Sequence, residues 1–202
     1  MKKSLPTYEY EDEVKKHGYS YIVGVDEAGR GPGAGPVVAA AVRIPDYTIP
    51  TLMGKVNDSK RLSARKREEL FTMITNTCDY GIGIVDNDTI DRINILNATK
   101  IAMIKALKDI KFVDYVLVDG TVKLDISLPQ KQIIKGDNLS ISIAAASVLA
   151  KVTRDEIMEV LHNIYPIYGW DKNKGYLTKF HIKVIREYGT TEFHRKSFNK
   201  VK

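Results

Sequence analysis

The sequence predicts an α/β domain, and three observations support this fold class. Short apolar runs, such as residues 21–25 and 115–118, have the composition of buried strands. Longer segments with apolar side chains at helical spacing lie between those runs. The chain of 202 residues is long enough for one well-packed core, so we expect residues 1–202 to form a single domain.

The first elements are predicted to be a helix and an antiparallel pair of strands. Residues 4–18 mix acids and lysines around apolar positions and predict a short amphipathic helix. Residues 21–25 predict the first strand, and residues 36–44 predict a second strand of small apolar side chains. The tight glycine-rich connection between these two strands favours antiparallel pairing.

The middle of the chain continues the alternation of helix and strand. Ser63 is a candidate N-cap for a helix over residues 64–76, and residues 80–85 predict a third strand. A helix capped near Asp88 or Thr89 is expected to follow. Its predicted apolar face consists of Ile93, Leu96, Ile101, Ile104 and Leu107.

The second half of the chain is predicted to hold two further strands and two helices. Residues 115–118 and 132–134 are apolar runs typical of buried strands, and each is followed closely by an acid. Small side chains after Ser140 predict a tightly packed helix that ends near residue 163. Within it, Arg154 and Asp155 are predicted to form an ion pair. A last helix is expected over residues 178–188.

Carboxylates follow three of the predicted strands, each with a glycine close by. Asp26 and Glu27 follow the first strand, Asp119 follows residues 115–118, and Asp137 follows residues 132–134. The carboxyl ends of strands in α/β sheets face the ligand crevice. Neighbouring side chains on a regular strand point to opposite faces, so we expect the glycines after Glu27 to relax the chain there. A single Asp-Gly pair would indicate only a turn, and a loop with solvated acids is the alternative interpretation.

The four carboxylates are predicted to hold divalent cations. Each pair of unit charges about 4 Å apart would repel by roughly 4 kcal/mol at an effective dielectric near 20. Oxygen ligands favour Mg²⁺ or Mn²⁺ over Zn²⁺. In a basic protein such a site predicts phosphodiester hydrolysis, with one ion activating water and a second stabilising the leaving oxygen. The predicted catalytic and metal-binding set is Asp26, Glu27, Asp119 and Asp137.

Charge and composition favour a nucleic-acid partner. The chain has 31 Lys and Arg against 25 Asp and Glu, a net charge of +6, which suits a polyanion. Lys60 stands just before a predicted helix N-terminus and is a candidate phosphate contact, although a solvated loop is an equal alternative. The tail interleaves aromatic and basic residues, with Tyr176 as the better stacking candidate and Trp170 and Phe193 as packing residues. Neither His181 nor His194 has the spacing of metal ligands.

Cysteine content and the terminus indicate a reducing compartment. Cys78 is the single cysteine, which excludes an intrachain disulfide. The first twenty residues lack the apolar core of a signal peptide, and no apolar run approaches the length of a membrane span. We therefore expect a cytoplasmic protein.

Seven motifs together resemble the ribonuclease HII family, the type-2 ribonucleases H. They occur in the family's order from about residue 20 to residue 200. They are VDEAGRGP (25–32), NDSK (57–60), VDG (118–120), KGD (135–137), AAASVLAKVTRD (144–155), KGY (174–176) and HRKSF (194–198).

The resemblance implies both a fold and an activity. The implied fold is ribonuclease H-like, with a mixed β-sheet flanked by helices and a C-terminal helical segment, about residues 164–202, packed on it. The implied activity is metal-assisted endonucleolytic cleavage of RNA in RNA/DNA hybrids and on the 5′ side of ribonucleotides embedded in duplex DNA, as in ribonucleotide excision repair. Those nucleic acids are the implied partners; we expect a monomer, and protein partners are not predicted.

The resemblance also implies roles for individual residues. Asp26, Glu27, Asp119 and Asp137 match the acidic metal-binding set. The segment Gly29, Arg30 and Gly31 matches the motif that reads the ribose 2′-hydroxyl through its backbone. Tyr176 matches the tyrosine that stacks at the RNA-to-DNA junction, and Lys60 matches a phosphate-binding lysine. Asn173 and Leu177 depart from the histidine and proline common in relatives.

Three alternative functions follow from the same residues. The first is an ion-dependent nuclease of the same fold that acts on DNA junctions or single strands. The second is a catalytically silent nucleic-acid-binding module, in which Asp119 would be dispensable. A nucleotide-binding protein fits less well, because the glycine-rich stretch lacks the Gly-Lys-Ser/Thr ending of a P-loop.

Overall fold

The sheet of the computed structural model, which describes residues 5–199 and 201, has five strands in the order β3-β2-β1-β4-β5. The strands are β1 (Ile22–Ala28), β2 (Val37–Arg43), β3 (Asp79–Val85), β4 (Tyr115–Asp119) and β5 (Gln130–Ile133). β1 pairs with β2, and β2 with β3, in antiparallel fashion. β4 runs parallel to both β1 and β5. The predicted α/β fold with a mixed sheet is confirmed.

Helices cover both faces of the sheet. Their bounds are α1 (Glu9–Lys16), α2 (Ile49–Leu52), α3 (Ala64–Thr77), α4 (Asn87–Lys108), α5 (Ile141–Ile164), α6 (Trp170–Asn173) and α7 (Lys179–Tyr188). Alternate residues of β2 separate the two faces, as the two-residue period of a strand requires. Ala39 and Ala41 pack in the cluster that includes α4, whereas Ala40 and Val42 pack with α3 and α5.

The N-terminal turn of α5 lies directly against β1. A Cβ added to Gly24 would fall 2.3 Å from the backbone of Ser142 and Ile143, so only glycine permits this approach. Ser140 caps α5 by accepting the Ile143 N–H. The buried Glu11 of α1 accepts hydrogen bonds from the Ser140 and Ser142 hydroxyls and from the Ser142 N–H. Helix α1 is thereby joined to the start of α5.

The prediction for α4 was wrong in two respects. Its N-cap is Asp86, which accepts the Thr89 N–H at 2.7 Å, and not Asp88 or Thr89. Asn94 has φ 67° and interrupts the helix, so one apolar stripe cannot run across the break. Leu96 and Ile101, predicted to be in the core, are 45% and 39% exposed. Leu107 is buried as predicted, and Ile93 and Ile104 pack against the core. The rest of the buried face is formed by Ala98, Ala102, Met103 and Ala106.

The segment after α5 packs against the glycine-rich loop, which we define as residues 29–36. The Gly33 N–H donates to the Gly175 carbonyl, and the Arg195 N–H donates to the Gly33 carbonyl. Trp170 and Tyr168 stack with ring centroids 5.2 Å apart in the core of this segment. In the part of the chain that the structure describes, no helix is both long and apolar enough to cross a membrane.

Candidate active site

Two carboxylates occupy neighbouring positions on β1 and β4. The parallel register pairs Val25 with Val118, so Asp26 and Asp119 are the next residues on adjacent strands. β1 does not end before Asp26, as the sequence indicated, but continues through Glu27 to Ala28. The Asp26 carboxylate turns back to accept the Glu27 N–H at 2.7 Å. The three extra residues of β1 pair with β2, from Asp26 opposite Ala40 to Ala28 opposite Val38.

Asp137 reaches this region on a turn and not on a strand. β5 ends at Ile133, Lys135 adopts a left-handed conformation with φ 59°, and a 3-10 turn covers Gly136–Asn138. The Gly136 N–H donates to Asp119 Oδ1 at 2.6 Å. That bond ties the turn carrying Asp137 to the end of β4, while Asn138 donates to Asp137 Oδ1 at 2.7 Å.

Burial and mutual repulsion raise the pKa values of these acids. Asp26 is 5% exposed; burial, followed by the charges of Glu27 and Asp119, holds its pKa well above the usual range. Burial also raises the pKa values of Asp119 and Asp137. For Glu27, burial raises the pKa while the nearby Arg30 opposes the rise. The ionised set is therefore unfavourable by itself, and a bound cation would relieve it.

Lys60 also interacts with the charges of these acids. Burial alone would lower its pKa, but the carboxylates of Asp26, Asp58 and Asp137 raise it, and the net shift is upward. Its backbone is fixed in a 3-10 turn because Asp58 accepts the Lys60 N–H at 2.9 Å.

The donor set fits a hard divalent cation that keeps part of its water shell. All four side chains offer carboxylate oxygens, and Asp26 and Asp137 are buried. Among residues 5–199 and 201, no group of three His, Cys, Asp or Glu side chains is arranged to hold an ion unaided. Mg²⁺ commonly binds through one or two carboxylates together with waters and substrate phosphates, so substrate oxygens would complete such a site.

A pocket of about 400 Å³ opens beside the acids. Its walls include all five residues predicted to bind substrate and several basic side chains that were not predicted. From the predicted set it is lined by Glu27, Gly29, Arg30, Gly31, Lys60 and Tyr176; its other walls are Ala28, Ser59, Arg67, Ser147, Lys151 and Arg154. Asp26, Asp119 and Asp137 do not line it, so Glu27 is the acid that joins the carboxylates to the pocket.

The glycine-rich loop is held by two buried arginines. Arg154 donates to the carbonyls of Ala34, Pro36 and Lys174 at 2.9–3.1 Å. Arg195 donates to the carbonyls of Arg30, Gly35 and Pro36. Arg154 and Arg195 are 2% and 0% exposed, and burial lowers the pKa values of their guanidinium groups to about 10 and about 9.

The predicted ion pair between Arg154 and Asp155 was wrong. Asp155 pairs with Lys151 on the same helix and lies 4.0 Å from Arg67. Consecutive helical residues do not face each other, and positions 150, 151, 157 and 158 contain no acid. That spacing was the signal that Arg154 has no acidic partner on its own helix. Arg195 and its role in the loop were missed, because its partners are backbone carbonyls far away in the chain.

Tyr176 lies over the start of the glycine-rich loop. Tyr176 is 49% exposed, and a Cβ on Gly31 would lie 3.3 Å from its ring. Asn173 shapes the preceding turn by accepting the Gly175 N–H and donating to the Tyr168 carbonyl. Leu177 fills the space next to Gly33. The two residues that depart from the common motif therefore both have defined packing roles.

Comparisons with known proteins place this arrangement among the ribonucleases H. A family model described as ribonuclease HII matches residues 23–201. Ribonuclease HII of Caldicellulosiruptor saccharolyticus is 52% identical over 96% of this chain and 94% of its own length. Ribonuclease HII of Clostridioides difficile is 54% identical over 95% of this chain and 74% of its own.

Solved structures have the same fold. Ribonuclease H2 from Pyrococcus horikoshii OT3 superposes with a TM-score of 0.77 and 27% identity, covering 90% of this chain and 95% of that one. The ribonuclease HII of Archaeoglobus fulgidus, solved in complex with PCNA, gives a TM-score of 0.71 at 25% identity over 89% and 96%. A ribonuclease HIII called Bst-RNase HIII, solved with Mn²⁺, shares the fold with a TM-score of 0.70 at 20% identity over 90% and 68%.

Proposed function

The chain belongs to the ribonuclease HII family, which makes it a ribonuclease H and a hydrolase, and we propose that it cuts the RNA strand of RNA/DNA hybrids and the 5′ side of ribonucleotides embedded in duplex DNA. The observation that carries the proposal is that Glu27 belongs both to the group of acids and to the pocket wall. Its carboxylate belongs to the group of Asp26 and Asp119 and also forms a wall of the basic pocket. A phosphodiester in that pocket would lie next to the acids.

We assign the metal to the four acids. Asp26, Glu27, Asp119 and Asp137 would hold Mg²⁺ or Mn²⁺, the hard cations that carboxylate oxygens favour. Such an ion, when bound, lowers the pKa of water and neutralises charge on the phosphoryl oxygens. The chain's own contribution is to hold these carboxylates close together at a buried position, so that substrate phosphate completes their cation site.

The pocket residues would bind and orient the substrate. Neighbouring carboxylates raise the pKa of the Lys60 ammonium group, and this positive charge suits contact with a phosphate. Gly31 and Tyr176 both line the pocket, and a Cβ on Gly31 would come within 3.3 Å of the Tyr176 ring. The ribose 2′-hydroxyl is the group that distinguishes RNA from DNA and is displayed in the minor groove. We assign its recognition to the segment from Gly29 to Gly31 together with Tyr176.

Matched duplexes test the substrate assignment. Three duplexes of one sequence would be compared in Mg²⁺ or Mn²⁺: all DNA, DNA with a single ribonucleotide, and an RNA/DNA hybrid. We expect cleavage of the second on the 5′ side of the ribonucleotide, cleavage of the third, and none of the first. Equal cutting of the all-DNA duplex would reject the proposal in favour of a nuclease that does not read ribose.

Asp119→Asn tests the catalytic assignment. Asparagine keeps an oxygen that can accept the Gly136 N–H, so the fold should be retained. We expect a loss of cleavage rate of about 10³-fold or more, since metal assistance contributes several kcal/mol and each 1.4 kcal/mol is tenfold, with duplex binding largely kept. The control is Asp125→Asn, an exposed acid paired with Lys100, and it should cut normally. Undiminished cleavage by Asp119→Asn would indicate a binding module.

A further inference from the structure

Two buried histidines lie behind Tyr176, and hydrogen bonding fixes the proton of the first. His181 and His194 are both fully buried. The indole N–H of Trp170 donates to His181 Nε2 at 3.2 Å, and an indole nitrogen can only donate. His181 Nε2 is therefore an acceptor, and the proton of the neutral ring lies on Nδ1. That N–H donates to the Tyr176 carbonyl at 3.0 Å.

The proton of the second histidine is fixed in the same way. The Thr191 backbone N–H donates to His194 Nδ1 at 2.9 Å, so Nδ1 is an acceptor and the proton lies on Nε2. His194 Nε2 is 3.1 Å from His181 Nε2. One ring thus donates to the other, and all four ring nitrogens have partners when both histidines are neutral.

The pair connects the two segments assigned to ribose recognition. His181 bonds the carbonyl of Tyr176, while the backbone of His194 bridges to Ala34 in the glycine-rich loop. Backbone hydrogen bonds also join the glycine-rich loop to the segments on either side of the pair. The Gly33 N–H donates to the Gly175 carbonyl, and the Gly35 N–H donates to the Phe193 carbonyl. The pair is remote from solvent and does not line the pocket beside Glu27.

We propose that the neutral His181–His194 pair is a positioning device that holds Tyr176 over Gly31 and thereby sets selectivity for the ribose 2′-hydroxyl without touching the substrate. This inference rests on the proposed function. An additional proton would have to enter at His181 Nε2, which already faces two donors, or at His194 Nδ1, which faces the Thr191 N–H. Burial keeps the pair neutral and lowers the pKa values of both rings.

The neighbouring Tyr168 hydroxyl and Lys196 charge do not favour protonation of the pair. The Tyr168 ring lies 4.8 Å from the His194 ring, and the Tyr168 hydroxyl donates to the Gly189 carbonyl. Lys196 carries the nearby formal charge that acts on His194, and it opposes protonation. The geometry therefore depends on neutral hydrogen bonds, each of which contributes about 1 kcal/mol.

Two substitutions of His181 separate its two bonds. An asparagine amide nitrogen lies near the position of Nδ1, so His181→Asn keeps a donor for the Tyr176 carbonyl but leaves the Trp170 and His194 donors without an acceptor. A glutamine oxygen lies near the position of Nε2, so His181→Gln keeps the acceptor and loses the bond to Tyr176. Glutamine is also the better helix former in α7. Stability should therefore decrease in the order wild type, Gln, Asn.

Selectivity should follow the opposite order for the two variants. Every protein in the measurement carries Asp119→Asn so that no duplex is cut, and the ratio of dissociation constants is measured for an all-DNA duplex and its single-ribonucleotide counterpart. We expect His181→Gln to reduce this ratio about fivefold, the weight of one hydrogen bond, and His181→Asn to keep it near the reference. Emission of Trp170, the single tryptophan, and thermal unfolding check that each variant is folded.

A double substitution identifies the route of the effect. Once Tyr176→Ala has removed the ring, adding His181→Gln should change the ratio no further, because coupled residues are not additive. This inference is wrong if the ratio decreases in both His181 variants in step with their stability, or if His181→Gln leaves the ratio unchanged. Neither outcome would contradict the proposed function. A reference protein without any preference for the ribonucleotide overturns the proposed reading of ribose, and this inference with it.

Discussion

Two buried arginines donate hydrogen bonds to carbonyl groups of the glycine-rich loop. A loop with four glycines among residues 29–36 exposes many carbonyl groups, and buried carbonyls need donors. Arg154 and Arg195 each donate three bonds to the carbonyls in and beside this loop. Their pKa values of about 10 and about 9 keep both charged at neutral pH. Carbonyl groups in and beside the loop thus have donors although the loop forms no helix or strand.

Lys60 gives the first prediction at the scale of single residues. Lys60→Ala should weaken binding to every duplex irrespective of ribose and should reduce the slope of log K against log salt by about 1, as expected for one lost phosphate contact. Fluorescence anisotropy at several salt concentrations measures both effects. The control is Lys108→Ala, an exposed lysine in the last turn of α4. An unchanged salt slope in Lys60→Ala would contradict a phosphate contact.

The sequence was sufficient to predict the placement of residues that follow apolar runs, but not the contacts of residues whose partners are distant backbone groups. Asp26, Glu27 and Asp119 follow apolar runs, so their position at one sheet edge could be predicted. Arg154 could be misassigned because its carbonyl partners carry no residue signature in the sequence. The bond between His181 and Tyr176 was equally invisible, because it ends on a carbonyl that any residue would provide.

At the scale of elements, the left-handed glycine at the start of the loop is predicted to be indispensable. Gly29 has φ +99°, and a Cβ there would lie 2.1 Å from Arg154 Nε. Gly18 has a similar φ of +93° but open space around it. Both alanine variants should lose about 1–2 kcal/mol from the positive φ, and Gly29→Ala should lose a further 1–3 kcal/mol, roughly, from overpacking. Urea unfolding measures the difference.

Equal losses in the two glycine variants would contradict the packing of Arg154 against the loop. A larger loss in Gly29→Ala accompanied by normal cleavage would instead contradict the assignment of this loop to substrate binding. The pair of variants thus separates backbone conformation from close contact.

The histidine pair predicts how the C-terminal segment responds to acid. Burial and the neighbouring His181 lower the pKa of His194 from 6.5 to about 4. A histidine with a lowered folded pKa stabilises the fold above its unfolded value and loses that contribution as pH falls. The wild type should therefore lose stability between pH 6.5 and about 4, while His194→Asn, less stable at pH 7, should lose less over that interval. Parallel decreases in melting temperature for both proteins would contradict the buried neutral state.

Helix boundaries show where local sequence rules succeed and where they fail. Ser63 caps α3 as the sequence indicates, because a cap depends on neighbours three residues away. Thr178, predicted as the first residue of the last helix, is instead the N-cap of α7. In α4 a mid-helix Asn94 with positive φ breaks the period, and a helical pattern read through that break assigns Leu96 to the wrong side. Asparagine accepts this conformation more readily than most residues, but its presence alone does not require it.

At the scale of the whole molecule, strand order brings together acids that are far apart in the chain. Asp26 and Asp119 are neighbours because β4 inserts parallel to β1 after a crossover that contains α4. The sequence predicts strands that end in acids, but it does not state that β1 and β4 adjoin. Nor does it place Asp137 on a 3-10 turn anchored by Asp119. Those features depend on long-range pairing, which is decided by the complete core.

Thermal unfolding with and without Mn²⁺ tests most directly whether these acids form a cation site. An ion that binds only the folded state at 100 times its dissociation constant adds about 2.7 kcal/mol, which for a domain of this size raises the melting temperature by roughly 5–10 °C. We predict that shift for the wild type and for Asp125→Asn, and its loss in Asp119→Asn. An equal shift in Asp119→Asn, or none in the wild type, would contradict a metal site formed by Asp26, Glu27, Asp119 and Asp137.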